Sequence, residues 1–425
     1  MSQLMLLAML LFFVITVPVA VSVGLANIVG INWDGRMTML VLAQQMYASM
    51  DKYPLVAVPF FILAGNLMEA GGISERMVEF AKSVVGGMQG GLACSCVLTC
   101  MIFAAVAGSS VATTFAVGAI LIPAMVKHGY PRPFAASLQA TSAELGVIIP
   151  PSIPLILFAV STDTSVGELF IAGIGPGLLI GGALMLYVWL YARRHQLGTL
   201  DAQHRMPLWP AFKQAWLALL MPVIILGGIY GGVFTPTEAS AIAVVYAWLV
   251  GTFVYRRLDH KVLRRTLHRS VISTAVIMFI IANASIFGFL LNRAGIPSAL
   301  GHWLGGLFDS QLTFLLGVNA ALFVVGMFIE TSASIVVLAP LLLPVAMQFG
   351  VDPVHFGIIM VVNLALGMVT PPFGVNLFAA CSVAGISLER LIRPLIPFVL
   401  VVVACLLLIS YVPSISLLVR DWVYR

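Results

Sequence analysis

The run Gly367-Met368-Val369-Thr370-Pro371-Pro372-Phe373-Gly374-Val375-Asn376 places two adjacent prolines in the middle of an apolar segment. Adjacent prolines remove two successive amide donors and push the residue before them out of helical geometry. Upstream carbonyls then lose their partners, which at membrane depth is tolerable only where protein, water or a bound ion satisfies them. The same device stands earlier, in Gly146-Val147-Ile148-Ile149-Pro150-Pro151-Ser152-Ile153-Pro154. The two breaks are 221 residues apart, and so are Pro123 and Pro344, Gly129 and Gly350, and Glu168 and Glu389. Glycine and proline set backbone geometry, so sharing them at one offset implies two copies of one shape. Gly72-Ile73-Ser74 and Gly295-Ile296-Pro297 extend the likeness at a nearly equal offset.

The setting of these runs is membranous. Of 425 residues, 61% are hydrophobic and 9% charged, against about 25% charged in an average soluble domain. Apolar stretches of roughly 20 residues match the hydrocarbon thickness of a bilayer. They are continuous rather than alternating, which selects helices over a barrel. The expected class is therefore an all-α polytopic membrane protein. Leu4 to Val23 lacks the positive n-region of a signal peptide and is read as a retained first span. A net charge of +5 suggests nucleic acid less than orientation in the membrane, because the basic residues lie in short loops between apolar runs. Five cysteines sit in apolar surroundings, and no His/Cys cluster has metal-site spacing.

Counting crossings orients the two copies. One basic loop carries Arg193, Arg194, Arg205 and Lys213; the next carries Arg256, Arg257, Lys261, Arg264, Arg265 and Arg269. Both are cytoplasmic by the positive-inside rule. Spans at about 215–234 and 238–255 lie between them, so one odd crossing separates the copies and turns the second upside down. The division expected is a first repeat over 1–192, with a hairpin at about 88–127 and a broken helix at about 134–162. A cytoplasmic loop and linking span follow over 193–237. The second repeat covers 238–425, with a hairpin at about 311–349 and a broken helix at about 354–384. Inverted pairs are the architecture of many secondary transporters, whose sites lie at the repeat interface.

Polar residues gather at two places in each copy. One is a tip between apolar segments: Gly108-Ser109-Ser110-Val111-Ala112-Thr113-Thr114 in the first, Glu330-Thr331-Ser332-Ala333-Ser334 in the second. Loop tips outside the bilayer have no need to be so small and hydroxyl-rich, which favours re-entrant hairpins over pairs of ordinary spans. The other place is the proline break. Freed carbonyls and Ser, Thr and Asn oxygens are neutral hard donors suited to Na⁺, while a half-helix N-terminus favours an anionic group. Each tip is expected to face the break of its own copy, giving two ion sites. Polar groups near the same tips and breaks, namely Thr113, Ser142, Glu144, Ser152, Glu330 and Asn363, are candidates for holding the solute.

These motifs resemble the large membrane subunit of tripartite ATP-independent periplasmic (TRAP) transporters. The matching pieces include Pro59-Phe60-Phe61-Ile62-Leu63-Ala64-Gly65, the Gly108-Ser109-Ser110 tip, Ile149-Pro150-Pro151-Ser152, Gly232-Val233-Phe234-Thr235-Pro236-Thr237-Glu238-Ala239 and Thr370-Pro371-Pro372-Phe373-Gly374-Val375-Asn376. The likeness covers essentially the whole chain. It implies a sodium-driven elevator mechanism in a bacterial inner membrane, with Na⁺ as coupling ion and no other cofactor. A four-span small membrane subunit and a soluble periplasmic binding protein are the implied partners. The implied first sodium site uses Ser109, Ser110 and carbonyls near Pro150; the second uses Thr331, Ser332, Thr370, Gly374 and Asn376. The implied solute is a small organic anion, a sugar acid such as 2,3-diketo-L-gulonate.

The remaining charges read more simply. Intramembrane Glu144 and Glu330 are candidates for neutralising a cation or ordering a polar network. Asp163 reads as a solvated loop residue, and Glu238, Glu168 and Glu389 as acids at helix starts. A stand-alone sodium/anion symporter is the competing transport reading. A membrane enzyme built on Glu144 and Glu330 lacks any nucleophile, metal set or cofactor motif, and a passive channel would ignore the sodium gradient.

Overall fold

The computed structural model describes residues 2–15, 17–34, 38–198 and 206–424; Arg205 of the first basic loop lies outside them. Helices α1 (Ser2–Val14), α2 (Val19–Asp34), α3 (Met39–Met50), α4 (Ala57–Ala70) and α5 (Ile73–Val85) come first. Next are α6 (Gly91–Ala107) and α7 (Ser110–Lys127), the interrupted set α8 (Arg132–Ala143), α9 (Leu145–Ile148) and α10 (Ile153–Thr162), and the long α11 (Val166–Arg194). α12 (Leu208–Tyr230), α13 (Pro236–Leu249), α14 (His260–Arg293) and α15 (Ile296–Leu307) follow. The order then returns as α16 (Gln311–Phe328), α17 (Thr331–Gln348), α18 (Pro353–Met368), α19 (Val375–Ala384), α20 (Leu388–Tyr411) and α21 (Ser414–Val423).

Among the described residues there are helices but no strands, and nine of the helical segments are long and apolar enough to cross a membrane. The set α8–α10 makes a tenth if counted as one span, bent by 41° at its break. Outward faces stay apolar: Leu178, Leu186 and Leu190 of α11 and Leu400 and Leu408 of α20 are each more than half exposed. Such surface is stable against lipid and unstable against water. The chain is a multi-pass, all-α membrane protein.

Two groups of helices can be distinguished by their packing. α4 packs against both α13 and α14, and α2, α3, α5 and α12 lie around these three. The second group interleaves the tips and breaks: α7 and α8 pack on α19, α8 on α20, and α10 on α17. α14 crosses between the groups, lying against α2, α4 and α17. Most of the buried apolar residues form one continuous core, and a smaller cluster holds α1 and α2 against α14 through Met5, Val23, Ile31 and Phe287.

Three expectations are corrected. Residues 4–23 do not form one span. Pro18 has no amide to donate, so helix α1 ends, the Val17 amide bonds the Phe12 carbonyl at 3.0 Å, and the Pro18 carbonyl starts α2. α1 then folds back along α2, with Met5 against Gly30. The second basic loop is short, because Asp259 caps α14 through the Val262 amide at 2.7 Å. Lys261, Arg264, Arg265 and Arg269 are therefore helical, on a 34-residue helix longer than one bilayer crossing requires. The two hairpins also differ: α6 packs along α7, whereas α16 has little contact with α17 and lies along α18.

Several acids sit where their spacing predicts. Thr235 and Glu238 form a capping box at the start of α13. Asp163 is exposed and pairs with Lys52 at 3.0 Å. Glu168 lies in the first turn of α11, and Glu389 in that of α20.

Candidate functional site

The first tip is shaped by its backbone. Gly108 ends α6 with φ 59°, a left-handed conformation that favours glycine. A methyl group there would stand 3.0 Å from the Pro151 carbonyl oxygen. The tip thus rests directly on the first break. Ser109 is extended and caps α7, and Thr113 donates back to the Ser109 carbonyl at 2.8 Å. On the other side of the contact, Ser152 caps α10 and donates to the Val147 carbonyl at 2.5 Å. The Pro150–Pro151 and Pro371–Pro372 peptides are both cis.

The second tip turns on an acid instead. Glu330 is extended, accepts the Ala333 amide at 3.1 Å as the cap of α17, and accepts the Ser332 hydroxyl at 2.8 Å. Thr331 is fully buried and reaches the Met368 sulfur at 2.9 Å, which brings this tip to the beginning of the second break. Thr370 turns back to bond the Leu366 carbonyl at 2.8 Å, and Gly374 leads the chain into α19.

Asn376 goes elsewhere. Its Nδ2 donates to Glu144 Oε1, and its Oδ1 accepts from Thr114 Oγ1 at 3.3 Å. The expectation of Asn376 as partner to Thr331, Ser332, Thr370 and Gly374 is therefore revised: its amide is spent on the first copy. The physical reason is the packing of α19 across α7 and α8, which buries Asn376 completely. Ser110 also stands beside the Glu144 carboxyl.

A cavity of about 500 Å³ opens between the two tips. Ser109, Val111 and Ala112 line it from the first, and Glu330, Ser332 and Ala333 from the second. α4 adds Asn66, and α14 adds Arg269 and Ser273. Among the described residues that line it, Arg269 is the one cation, with Nη1 3.6 Å from Glu69 Oε2. A second, smaller space of about 270 Å³ shares Asn66 and Arg269 and adds Glu69 and Arg265. The volume suits a small organic molecule, and the N-terminus of α7 with the Arg269 guanidinium supplies positive potential for an anion.

The candidates therefore divide by place. Ser109, Glu330 and Ser332 meet at the cavity; Thr113 lies beside Gly146 beneath the first tip, and Pro150 and Ser152 belong to the break that the tip rests on; Ser110, Glu144 and Asn376 share a buried cluster. Ser142 is buried with a hydroxyl that has no hydrogen-bond partner among the described residues. Asn363 is not brought to the cavity. Its Nδ2 bonds Asn319 at 2.9 Å, and Asn319 bonds Ser410 at 3.0 Å, so it ties α18 to α16 and α20. Arg269 was hidden in the sequence because a cation at the end of a basic run reads as loop until the helix start is known, and Asn66 because a lone amide within an apolar helix carries no motif. Thr114 had a usable signal, since it follows Ser110 by four residues on one helix face.

Comparison with known proteins identifies the setting of this geometry. Residues 6–415 match the family model described as "Tripartite ATP-independent periplasmic transporter, DctM component". The chain is 43% identical over 401 residues to the C4-dicarboxylate TRAP transporter large permease protein DctM of Pseudomonas aeruginosa, covering 94% of each chain. It is 36% identical over 409 residues to the 2,3-diketo-L-gulonate TRAP transporter large permease protein YiaN of Escherichia coli, covering 96% of each. In fold it is similar to the Alcanivorax borkumensis YdaH transporter, with a TM-score of 0.61 at 17% identity, over 90% of this chain and 87% of that one. A family model spanning nearly the whole chain, with relatives named as permeases, makes this a transport protein rather than an enzyme. The chain belongs to the DctM component family of the tripartite ATP-independent periplasmic transporters.

Proposed function

We propose that the chain imports a small organic anion across the bacterial inner membrane, coupled to inward sodium movement. The observation that carries this reading is the cavity between the two tips, with one guanidinium among its lining residues and a helix N-terminus at its wall. Arg269 holds a carboxylate of the solute, and Ser109 and Ser332 bond its remaining oxygens. Glu330 lies at the same cavity as an acid. An acid and an anionic solute repel one another unless a cation is bound nearby, and that is the physical case for sodium. The sodium sites lie beneath the tips: Ser109 and Ser110 with carbonyls around Pro150, and Thr331, Ser332, Thr370 and Gly374 at the second.

The two halves, 1–192 and 238–425, are inverted repeats joined by the linking span within 193–237. The helices that interleave tips and breaks move as one body, elevator-fashion, against the group around α4, α13 and α14. Alternating access of this kind needs the coupling ion to bind the two states unequally. A four-span small membrane subunit flanks the group around α4, α13 and α14, and a periplasmic binding protein delivers the solute. Among the relatives described above, one is named for a C4-dicarboxylate and one for 2,3-diketo-L-gulonate. Both solutes are small carboxylates, and they are the two probes of choice.

The test is uptake of each probe into vesicles containing the purified chain, with and without a sodium gradient, the small subunit and the binding protein. Saturable uptake that needs the gradient and both partners is expected. Gradient-independent uptake would remove the coupling, and uptake by the chain alone would favour a stand-alone symporter.

A further inference from the structure

Glu144 lies at the junction of α8 and α9 and is 4% exposed. Its surroundings are polar but not basic. Asn376 Nδ2 donates to Oε1, and the Ser110 hydroxyl stands beside the carboxyl, while Oε2 has no hydrogen-bond partner among the described residues. Among the described residues, the charged group that acts on it is Glu330, a second acid. Among the described residues no lysine or arginine pairs with it. A buried carboxylate without a positive partner is costly, because the charge has lost its water and gained nothing in exchange.

The neighbours supply what a small hard cation needs. Thr114 and Asn376 are fully buried, Ser110 is 2% exposed, and the Thr114 hydroxyl and Asn376 Oδ1 are 3.3 Å apart. Carboxylate, amide and hydroxyl oxygens are all hard donors, suited to an ion of the alkali series rather than to a thiophilic metal. We propose that Glu144, Ser110, Thr114 and Asn376 form a further monovalent-cation site, centred on the Glu144 carboxyl, adjoining the first tip-and-break site through Ser110 and shared between the two halves of the chain. That the cation is sodium rests on the coupling proposed above.

The placement has a consequence for the transport cycle. Ser110 and Thr114 belong to α7, Glu144 to the first broken helix and Asn376 to the second. A cation at their meeting point joins three elements that no backbone bond connects at that point, and it neutralises the acid that otherwise opposes their closure. Cation binding is therefore linked to assembly of the tips and breaks into one body. An empty site leaves Glu144 uncompensated and favours separation of α19 from α8.

The experiment compares sodium dependence in four proteins: wild type, Glu144→Gln, the pair Glu144→Gln with Asn376→Asp, and Thr114→Val. The readouts are the sodium concentration giving half-maximal uptake, and the rise in thermal midpoint in detergent on replacing choline chloride by sodium chloride at constant ionic strength. Glu144→Gln is expected to need about tenfold more sodium, the loss of one charge-assisted contact, with a smaller Hill coefficient and a reduced thermal response. The double variant returns a carboxylate to the same contact and should recover most of the difference. Thr114→Val keeps the shape, removes one oxygen and should raise the sodium requirement about threefold. Wild-type sodium dependence in Glu144→Gln or in Thr114→Val would overturn the site, as would a defect the double variant fails to repair. No sodium response in wild type would instead remove the coupling reading itself, so the two failures are distinguishable.

Discussion

Replacing Arg269 by glutamine removes the one positive charge among the described residues that line the cavity between the tips. The size of the effect follows from where the side chain sits. It is 56% exposed and stands 3.6 Å from Glu69 Oε2, so it is neither desolvated like a core charge nor free like a surface one. A hydrogen bond to a charged partner contributes about 1.5–3 kcal/mol, and the exposure puts this one at the lower end, about 1.5–2 kcal/mol. That corresponds to roughly a 10- to 30-fold weaker solute affinity. Arg269→Lys keeps the charge but loses the planar fork, and the expected loss is about threefold. Glu69→Gln removes the competing carboxylate and should tighten binding by about twofold to fivefold. The assay is calorimetric titration of the purified permease with a C4-dicarboxylate and with 2,3-diketo-L-gulonate in sodium buffer. Affinity for both within twofold of wild type in Arg269→Gln would refute the assignment of Arg269 as the anion anchor.

Gly367→Ala tests the seat of the second broken helix. The added methyl would meet the Gly326 carbonyl carbon at 2.3 Å, where ordinary contact begins at 3.4 Å. The contact is backbone, so α16 and α18 must separate by about 1 Å, at roughly 1–3 kcal/mol; an unchanged thermal midpoint in detergent would contradict the contact. Asp352 gives a pH dependence. Burial raises its carboxyl, but the amides of His355 and Val354 and the Arg420 guanidinium outweigh this and hold it below its ordinary 3.8. A lowered folded-state value means stability that is present above 3.8 and lost as pH falls through the lowered value. Hydrogen exchange of α21 amides should accelerate below that range in wild type, and Asp352→Asn should show the faster exchange already at neutral pH; identical exchange in the two proteins at neutral pH would sink the clamp.

The charged residues near the C-terminus show why a positive charge alone need not orient a terminus. Carrying the count forward leaves Arg420 outside, against the positive-inside tendency. In the fold Arg420 is largely buried among acids, with Asp352 at 3.0 Å, Asp421 at 2.7 Å and Glu168 at 3.7 Å. Its charge is balanced locally and carries little weight in orientation. The second basic loop misled for a related reason. Arg265 and Arg269 continue a basic run in the sequence, and only the Asp259 cap turns that run into the first turns of α14.

What the sequence determined by itself is whatever depends on covalent constraint and short-range pattern. Paired prolines break α18 from α19 and α9 from α10, whereas the unpaired prolines inside α7, α11, α12, α17 and α20 do not end those helices, and apolar runs of bilayer length have no alternative to helix. The tips could be located for the same reason, as small polar residues bounded by apolar segments. Tertiary structure alone decided which of these pieces meet. Asn376 belongs to the second break by sequence, yet α19 lies across α7 and α8, and its amide is used by Glu144 and Thr114. Arg269 reaches the cavity because α14 packs between α4 and α17. Asn363 is drawn off to Asn319 by the close approach of α16 to α18. Such choices follow from helix faces and crossing positions, which depend on every neighbour at once, and no spacing along one chain encodes them locally.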